Sequence, residues 1–303
     1  MVDATKMGLD LVSSSGFRVS GFGLTRNSIQ ETRECEEHVA NPKLEIRHFA
    51  FLILILAFPT RVFGFCHELE VVERPFLRIA ATAPAPVEVE WMGHSTFQIT
   101  SSKGTRILTD PHGAFDLPRP TLPQHIVTTS HQHAPHNSVH MAPGTPVILH
   151  GLTPGGENWQ KISTTIRDVS VYLVPAYHDK SQGMQRGKNA IFVFRVDDIC
   201  IAHLGDLGHI LTPEQLKLLG KIDVLLVPVA GGMFTVTSEE AVEVTKQVNP
   251  KIAIPEHYWS PGGADRFAAG FSKVKRLNGP VLKISKQELP PPTEIVVFAG
   301  GDR

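Results

Sequence analysis

Between Ile126 and Asn137 a short β-branched run, Ile126-Val127-Thr128-Thr129, opens into Ser130-His131-Gln132-His133-Ala134-Pro135-His136-Asn137, with three histidines in six residues. Few stretches constrain a fold more. After an apolar strand the chain must turn, and on a tight loop His131 and His133 can converge on one point while His136 swings to the other side. Imidazole binds borderline ions such as zinc at about 2.0–2.1 Å, and a catalytic site uses three protein ligands and leaves a position for water. Any further ligands must come from far along the chain. Each candidate follows a strand-like run: His178 after Val171-Tyr172-Leu173-Val174, Asp206 after Ile199-Cys200-Ile201-Ala202, and His257 after Ile252-Ala253-Ile254-Pro255.

The composition removes several function classes. A net charge of −1 gives none of the basic excess of an electrostatic nucleic-acid binder, so no duplex partner is expected. No GxGxxG or GxxxxGK[ST] run opens a helix, and no GxSxG elbow is present, which leaves neither a phosphate cradle nor a serine nucleophile. Cys35, Cys66 and Cys200 are widely spaced, so neither a disulfide framework nor a thiolate metal site is implied, and Cys200 reads as a core residue. Of the 15 histidines, eight fall between His112 and His178, where the chemistry is expected.

Residues 1–86 read as an N-terminal extension and 87–303 as the functional domain, a length that β-rich and α/β folds often reach as one unit. Inside the extension, Phe49 to Phe58 is a run of ten apolar residues. That is too short for a bilayer, which takes about 20, but fits the core of a signal peptide. The segment 49–65 therefore points to export to the periplasm or beyond, with translation starting nearer His48; the alternative is a cytoplasmic protein in which the run forms a short buried or interfacial helix, and membrane contact is expected only if the segment is retained. The Ala80–Pro86 run of alternating Ala and Pro cannot sit inside a sheet and marks the boundary.

From Val87 the pattern is strand-rich. Strands are expected at 87–91, 96–99 and 106–109, the last two forming a hairpin across Ser101-Ser102-Lys103-Gly104. More are expected at 126–129, 146–150, 169–174, 190–196, 199–203, 223–229, 251–255, 281–284 and 294–298. Helices should begin at Thr212-Pro213-Glu214 and Thr237-Ser238-Glu239-Glu240, with a third from Asp265 through Val274. Two packed sheets with helices outside satisfy this order.

His131-x-His133-x-x-His136, the lone His178, His203-Leu204-Gly205-Asp206 and Pro255-Glu256-His257-Tyr258, in this order, resemble the metallo-β-lactamase fold in its branch of ascorbate-lactonase-like and uncharacterised zinc-dependent hydrolases. Trp91-Met92-Gly93-His94-Ser95, Leu108-Thr109-Asp110-Pro111 and Gly187 to Phe194 fit the same branch, and the resemblance covers about residues 87 to 298. It implies an α/β fold, a four-layer αβ/βα sandwich of two mixed β-sheets with outer helices. It also implies a first metal site of His131, His133 and His178, and a second of His136 and His257, with Asp206 bridging the two. Zinc, or else manganese, is the expected ion, one or two per chain, with Asp206, His131 and His133 carrying catalysis. The family pattern is His-x-His-x-Asp-His, whereas this chain has Pro135 at the acid. Proline neither ligates a metal nor accepts a proton, so the second ion is weakened and a mononuclear site is expected.

His203, Asp110 and His94 are candidates for orienting the ligands, against purely structural roles, since ligating groups are generally held by outer hydrogen bonds. His209 and His140 receive no role, although a loop refolded around Pro135 would let His140 reach the site. The implied activity is hydrolysis of a small-molecule ester, lactone or phosphodiester by metal-bound hydroxide. Loops 151–159, 179–187 and 233–237 would select the substrate, with Trp159 and Phe234 as an apolar wall or as loop packing. The alternative is a non-catalytic metal- or ligand-binding protein on the same scaffold, with Pro135 marking a decayed site.

Overall fold

The computed structural model describes residues 85–113, 116–232, 235–258 and 261–299, without the side chain of Pro261. The signal-like segment 49–65 and most of the Ala/Pro linker lie outside the described residues, as does Phe234.

The chain first lays down β1 (Val87–Trp91), β2 (Phe97–Thr100), β3 (Arg106–Thr109), β4 (Ile126–Thr129) and β5 (Val147–His150). It then forms β6 (Ser163–Ile166), β7 (Val169–Tyr177), β8 (Lys188–Val196), β9 (Ile199–His203), α1 (Pro213–Leu219), β10 (Val224–Pro228), α2 (Ser238–Val248) and β11 (Ile252–Glu256). It closes with α3 (Pro261–Ala268), β12 (Val274–Leu277), β13 (Val281–Ile284) and β14 (Glu294–Phe298). One sheet has the order β13-β1-β2-β3-β4-β5 and the other β12-β14-β11-β10-β9-β8-β7-β6. Both are mixed: β3, β4 and β5 run parallel, as do β9, β10, β11 and β14, while the β1–β2, β2–β3, β6–β7, β7–β8 and β8–β9 pairs are antiparallel.

The sequence shows why the ends of the parallel strands lie deep. β4, β9, β10 and β11 are buried at every position, as near-continuous apolar runs covered on both faces must be. Fully buried Phe97, Ile99, Phe192, Phe194 and Ile201 belong to one core cluster that draws on both sheets. At about 25 cal/mol per Å² of apolar surface, burying such side chains is the dominant favourable term in folding. α1 packs on β7, α2 on β10 and α3 on β11, while α2 and α3 touch each other. Thr212 and Thr237 each make a capping box, with Gln215 and Glu240 reaching back to the cap backbone, and Pro213 sits in the first turn of α1.

Three expectations are corrected. The third helix does not run from Asp265 through Val274: α3 spans Pro261–Ala268 with Asp265 inside it, and Val274 instead opens β12, which is parallel to β14. Val274-Lys275-Arg276-Leu277 is mostly exposed edge, so it lacks the apolar signature of a strand. Polar Ser163-Thr164-Thr165-Ile166 likewise forms the edge strand β6 without advertising it. Cys200 is in the core, 8% exposed, but it is also disulfide-bonded, a pairing that cysteine spacing alone could not reveal, and its partner lies outside the described residues.

Candidate metal centre

Open α/β sheets place their binding groups just beyond the carboxyl ends of strands. Here His94 follows β1, Asp110 follows β3, His131 to His136 follow β4, His178 follows β7, Asp206 follows β9 and His257 follows β11. Side chains distant in sequence thereby meet around one carboxylate. Asp206, 3% exposed, has His178 Nε2 at 3.1 Å, His136 Nε2 at 3.3 Å and His131 Nε2 at 3.5 Å from Oδ2, with His257 Nε2 3.3 Å from Oδ1. His131 Nε2 is 3.0 Å from His133 Nδ1. The six residues expected as ligands are therefore together.

The donor set suits a metal ion. His131, His133, His178 and Asp206 each offer one ligand atom, all within 4.8 Å of one another. Donors sharing one tetrahedral ion at about 2.0–2.1 Å stand roughly 3.3–3.5 Å apart, close to the 3.0 Å between His131 and His133, 3.1 Å between His178 and Asp206 and 3.5 Å between His131 and Asp206. Of the four, only His133 is exposed, so it marks the solvent side of the site. A second group, His94, His136 and His257, meets the same criterion and is wholly buried.

Asp110 sets the orientation of two imidazoles. Its Oδ2 accepts from His136 Nδ1 at 3.0 Å and, over a short contact, from the Ser130 hydroxyl, while Oδ1 accepts from the Ser130 backbone N–H at 2.7 Å. Ser130 Oγ in turn lies 2.9 Å from His131 Nδ1. Both rings thus use Nδ1 for support and present Nε2 to Asp206, as ligating histidines generally do.

Asn189 is the other support. Its amide donates to the Leu204 carbonyl at 2.8 Å and its carbonyl accepts from the Asp206 N–H at 3.1 Å, fixing the Leu204-Gly205-Asp206 turn. Gly205 has φ +54, and a Cβ there would stand 2.6 Å from Ser130 Cβ and 2.7 Å from Asn189 Oδ1, so only glycine lets the turn approach this closely.

Burial alone would raise the Asp206 carboxyl, but His136, His257 and His131 hold it well below the ordinary carboxylate range. Burial and the neighbouring His136 push His131 well down, and burial with His257 and His136 pushes His94 down to about 2. His136 goes the other way: burial opposes it, yet Asp206 and Asp110 raise it to about 10. In the metal-free protein the charged His136 thus stabilises the fold fully below an ordinary value of about 6.5, and that contribution is lost as pH rises through about 10. The thermal midpoint of chelated protein should fall between pH 7 and 10 by more than in a His136→Gln variant. Equal alkaline falls in the two proteins would refute this account.

The remaining histidines divide. His203 Nε2 pairs with Glu256 Oε2 at 3.1 Å, both fully buried, at the ends of the strands that lead to Asp206 and His257. His209 accepts from the Tyr177 N–H at 3.2 Å and serves the backbone, and exposed His140 belongs to neither donor group. Trp159 donates to the Ala176 and Asn189 carbonyls and stacks edge-on against Tyr177, which makes it loop packing. Sequence reasoning gave no role to Ser130, Asn189 or Glu256, and it gave His94 only a supporting one.

Residues 88–257 match the family described as Beta-lactamase superfamily domain. The chain is 30% identical over 201 residues to a UPF0173 protein of Pyrococcus abyssi, covering 62% of this chain and 90% of the relative. It is also 30% identical over 203 residues to a UPF0173 metal-dependent hydrolase of Thermococcus onnurineus, covering 59% and 88%. The crystal structure of a metallo-beta-lactamase superfamily protein from Thermotoga maritima superposes with a TM-score of 0.56 at 32% identity, over 70% of this chain and 98% of that one. Two mixed sheets carrying histidines and one shared aspartate at their strand ends are thus accompanied by sequence likeness over most of the described region, and the chain belongs to the metallo-β-lactamase superfamily.

Proposed function

We propose that the chain is a metal-dependent hydrolase acting on a small ester, lactone or phosphodiester, with one tightly held ion at His131, His133, His178 and Asp206. The observation that carries this reading is the convergence of those four donor atoms within 4.8 Å, three of them buried and the fourth at the surface. The likeness to the Thermococcus metal-dependent hydrolase supports the same class. Zinc fits the three imidazoles better than manganese, which favours oxygen ligands. Such an ion, when bound, lowers the pKa of water to about 7 and polarises the oxygen of the bond to be cut.

The chain's own residues do the rest. Asp206 stays ionised and supplies the one negative charge among the four donors of this site. Asp110, through Ser130 and directly, holds His131 and His136 with Nε2 turned inward, which removes the need to reorganise them during reaction. His133, exposed beside buried His131, gives substrate its approach to the donors.

Pro135 lies in the 3-10 turn Ala134–His136 and contributes no acid to the second donor group. Protein purified without added metal should therefore carry about one ion per chain, and Pro135→Asp about two, by elemental analysis, since a carboxylate is a strong ligand for such ions. Hydrolysis of a phosphodiester and lactone panel should disappear with a chelator and return with zinc. Metal bound without turnover on any substrate would favour the non-catalytic alternative that Pro135 suggests. Absence of metal from both proteins would sink the hydrolase reading.

A further inference from the structure

We propose that His94, His136 and His257 form a second, weaker cation site, in which the His94 imidazole stands in for the acid missing at position 135. The proposal rests on the metal-dependent reading above but concerns a different ion and a residue that the histidine loop does not contain.

The geometry is the first argument. The three side chains offer ligand atoms within 4.8 Å of one another, with ring centroids 4.0 Å apart for His94 and His257, 4.8 Å for His94 and His136, and 5.6 Å for His136 and His257. Two donors on one ion at about 2.1 Å are at most about 4.2 Å apart, so a shift of tenths of an ångström closes the set. All three are at most 4% exposed. Asp206 adds a shared carboxylate, with Oδ2 3.3 Å from His136 Nε2 and Oδ1 3.3 Å from His257 Nε2.

The backbone gives an independent argument. His94 has φ +53 and His257 φ +55, left-handed conformations that cost a non-glycine residue about 1–3 kcal/mol and survive only where the surroundings impose them. The His94 carbonyl ties the two together: it accepts from the His257 N–H at 3.2 Å and from the Trp91 indole at 3.0 Å. Trp91 stacks on Tyr258 at 5.0 Å, so the β1–β2 turn and the end of β11 are clamped together with their histidines side by side.

The chemistry fixes the class of ligand. Three neutral imidazoles with one shared carboxylate suit zinc, cobalt, nickel or copper and disfavour magnesium and calcium. With an imidazole in place of an acid, the site has one negative charge fewer than the family pattern provides, and it fills beside an ion that already shares Asp206, so it should hold its ion less tightly than the first.

The test is titration of chelator-stripped full-length protein with Co²⁺, followed by calorimetry and by visible absorption. Wild type is expected to take up two ions per chain, one tightly and one weakly. His94→Gly, which suits φ +53 without strain, should keep the tight event and weaken the second at least tenfold, with millimolar imidazole restoring it. His94→Asn, also tolerant of left-handed backbone, should show the same loss, and circular dichroism checks that each variant is folded. Uptake of a single ion by wild type, or a second event unchanged in both folded variants, overturns the proposal and leaves the hydrolase reading intact. No uptake at all by wild type overturns both.

Discussion

Asp206→Ala is expected to reduce hydrolysis by roughly 10²- to 10⁴-fold and to strip metal from both donor sets. The size follows from what this carboxylate touches: four imidazole nitrogens within 3.5 Å, contributed by His131, His136, His178 and His257. It is the one acid in the group with His131, His133 and His178. Asp110, the other acid nearby, is already engaged by Ser130 and by His136 Nδ1. Lewis-acid assistance by a bound ion is worth several kcal/mol, and each 1.36 kcal/mol is tenfold in rate. Asp206→Asn keeps the shape and one oxygen donor and should fall between wild type and Asp206→Ala. The variants need kcat/KM, elemental analysis and thermal unfolding together, because removing Asp206 also leaves the His136 charge with only one of its two acids. Metal content and kcat/KM within about tenfold of wild type in folded Asp206→Ala would show that this carboxylate does not hold the ion.

The residues that gather around Asp206 were legible because each follows a strand-like run, and strands that point the same way deliver their ends to one edge. β9 and β14 were read with their observed limits, since Ile199–His203 and Glu294–Phe298 are apolar runs bounded by polar turns. Two capping boxes, at Thr212 and Thr237, were equally visible, because a cap is a local device. Edge strands β6 and β12 were not, because half or more of their side chains face solvent and no burial pattern forces them to alternate.

The supporting residues were hidden for a different reason. Ser130 and Asn189 act through single hydrogen bonds to the Asp110 carboxylate and to the Leu204-Gly205-Asp206 backbone, contacts across 20 and 15 to 17 positions of chain. Nothing in the local pattern of Ser130 distinguishes such a hydroxyl from an ordinary turn serine. The proximity of His94 to His257 was hidden because it depends on two left-handed residues and a hydrogen bond to the His94 carbonyl, and an isolated histidine after a strand does not reveal that arrangement.

Glu256→Ala is expected to be among the most destabilising single changes outside the donor sets. His203 ends β9 and Glu256 ends β11, with β10 between them, so their 3.1 Å contact ties together the two strands that present Asp206 and His257. Both side chains are fully buried. Burial raises the Glu256 carboxyl against the lowering effect of His203, while Glu256 raises His203 against the effect of burial, so both groups are shifted toward holding a proton. Removing one member of such a pair costs about 3–5 kcal/mol, because the other is left buried without its partner. For a domain of this size each kcal/mol moves the midpoint by about 2–4 °C, which predicts a fall of roughly 6–20 °C. The pair is not fully satisfied either, since His203 Nδ1 and Glu256 Oε1 make no hydrogen bond among the described residues. A His203→Met, Glu256→Leu double variant should therefore recover most of the loss, as apolar replacements of buried ion pairs often do. Neither residue belongs to a donor group, so a folded double variant should still bind its ion, with affinity lowered by about 10- to 100-fold if the tie between β9 and β11 is what orients Asp206 and His257. A double variant as unstable as Glu256→Ala would mean that the polar pair itself, and not the loss of one partner, determines stability. Unchanged affinity at full stability would mean that the strand ends hold the ligands without it.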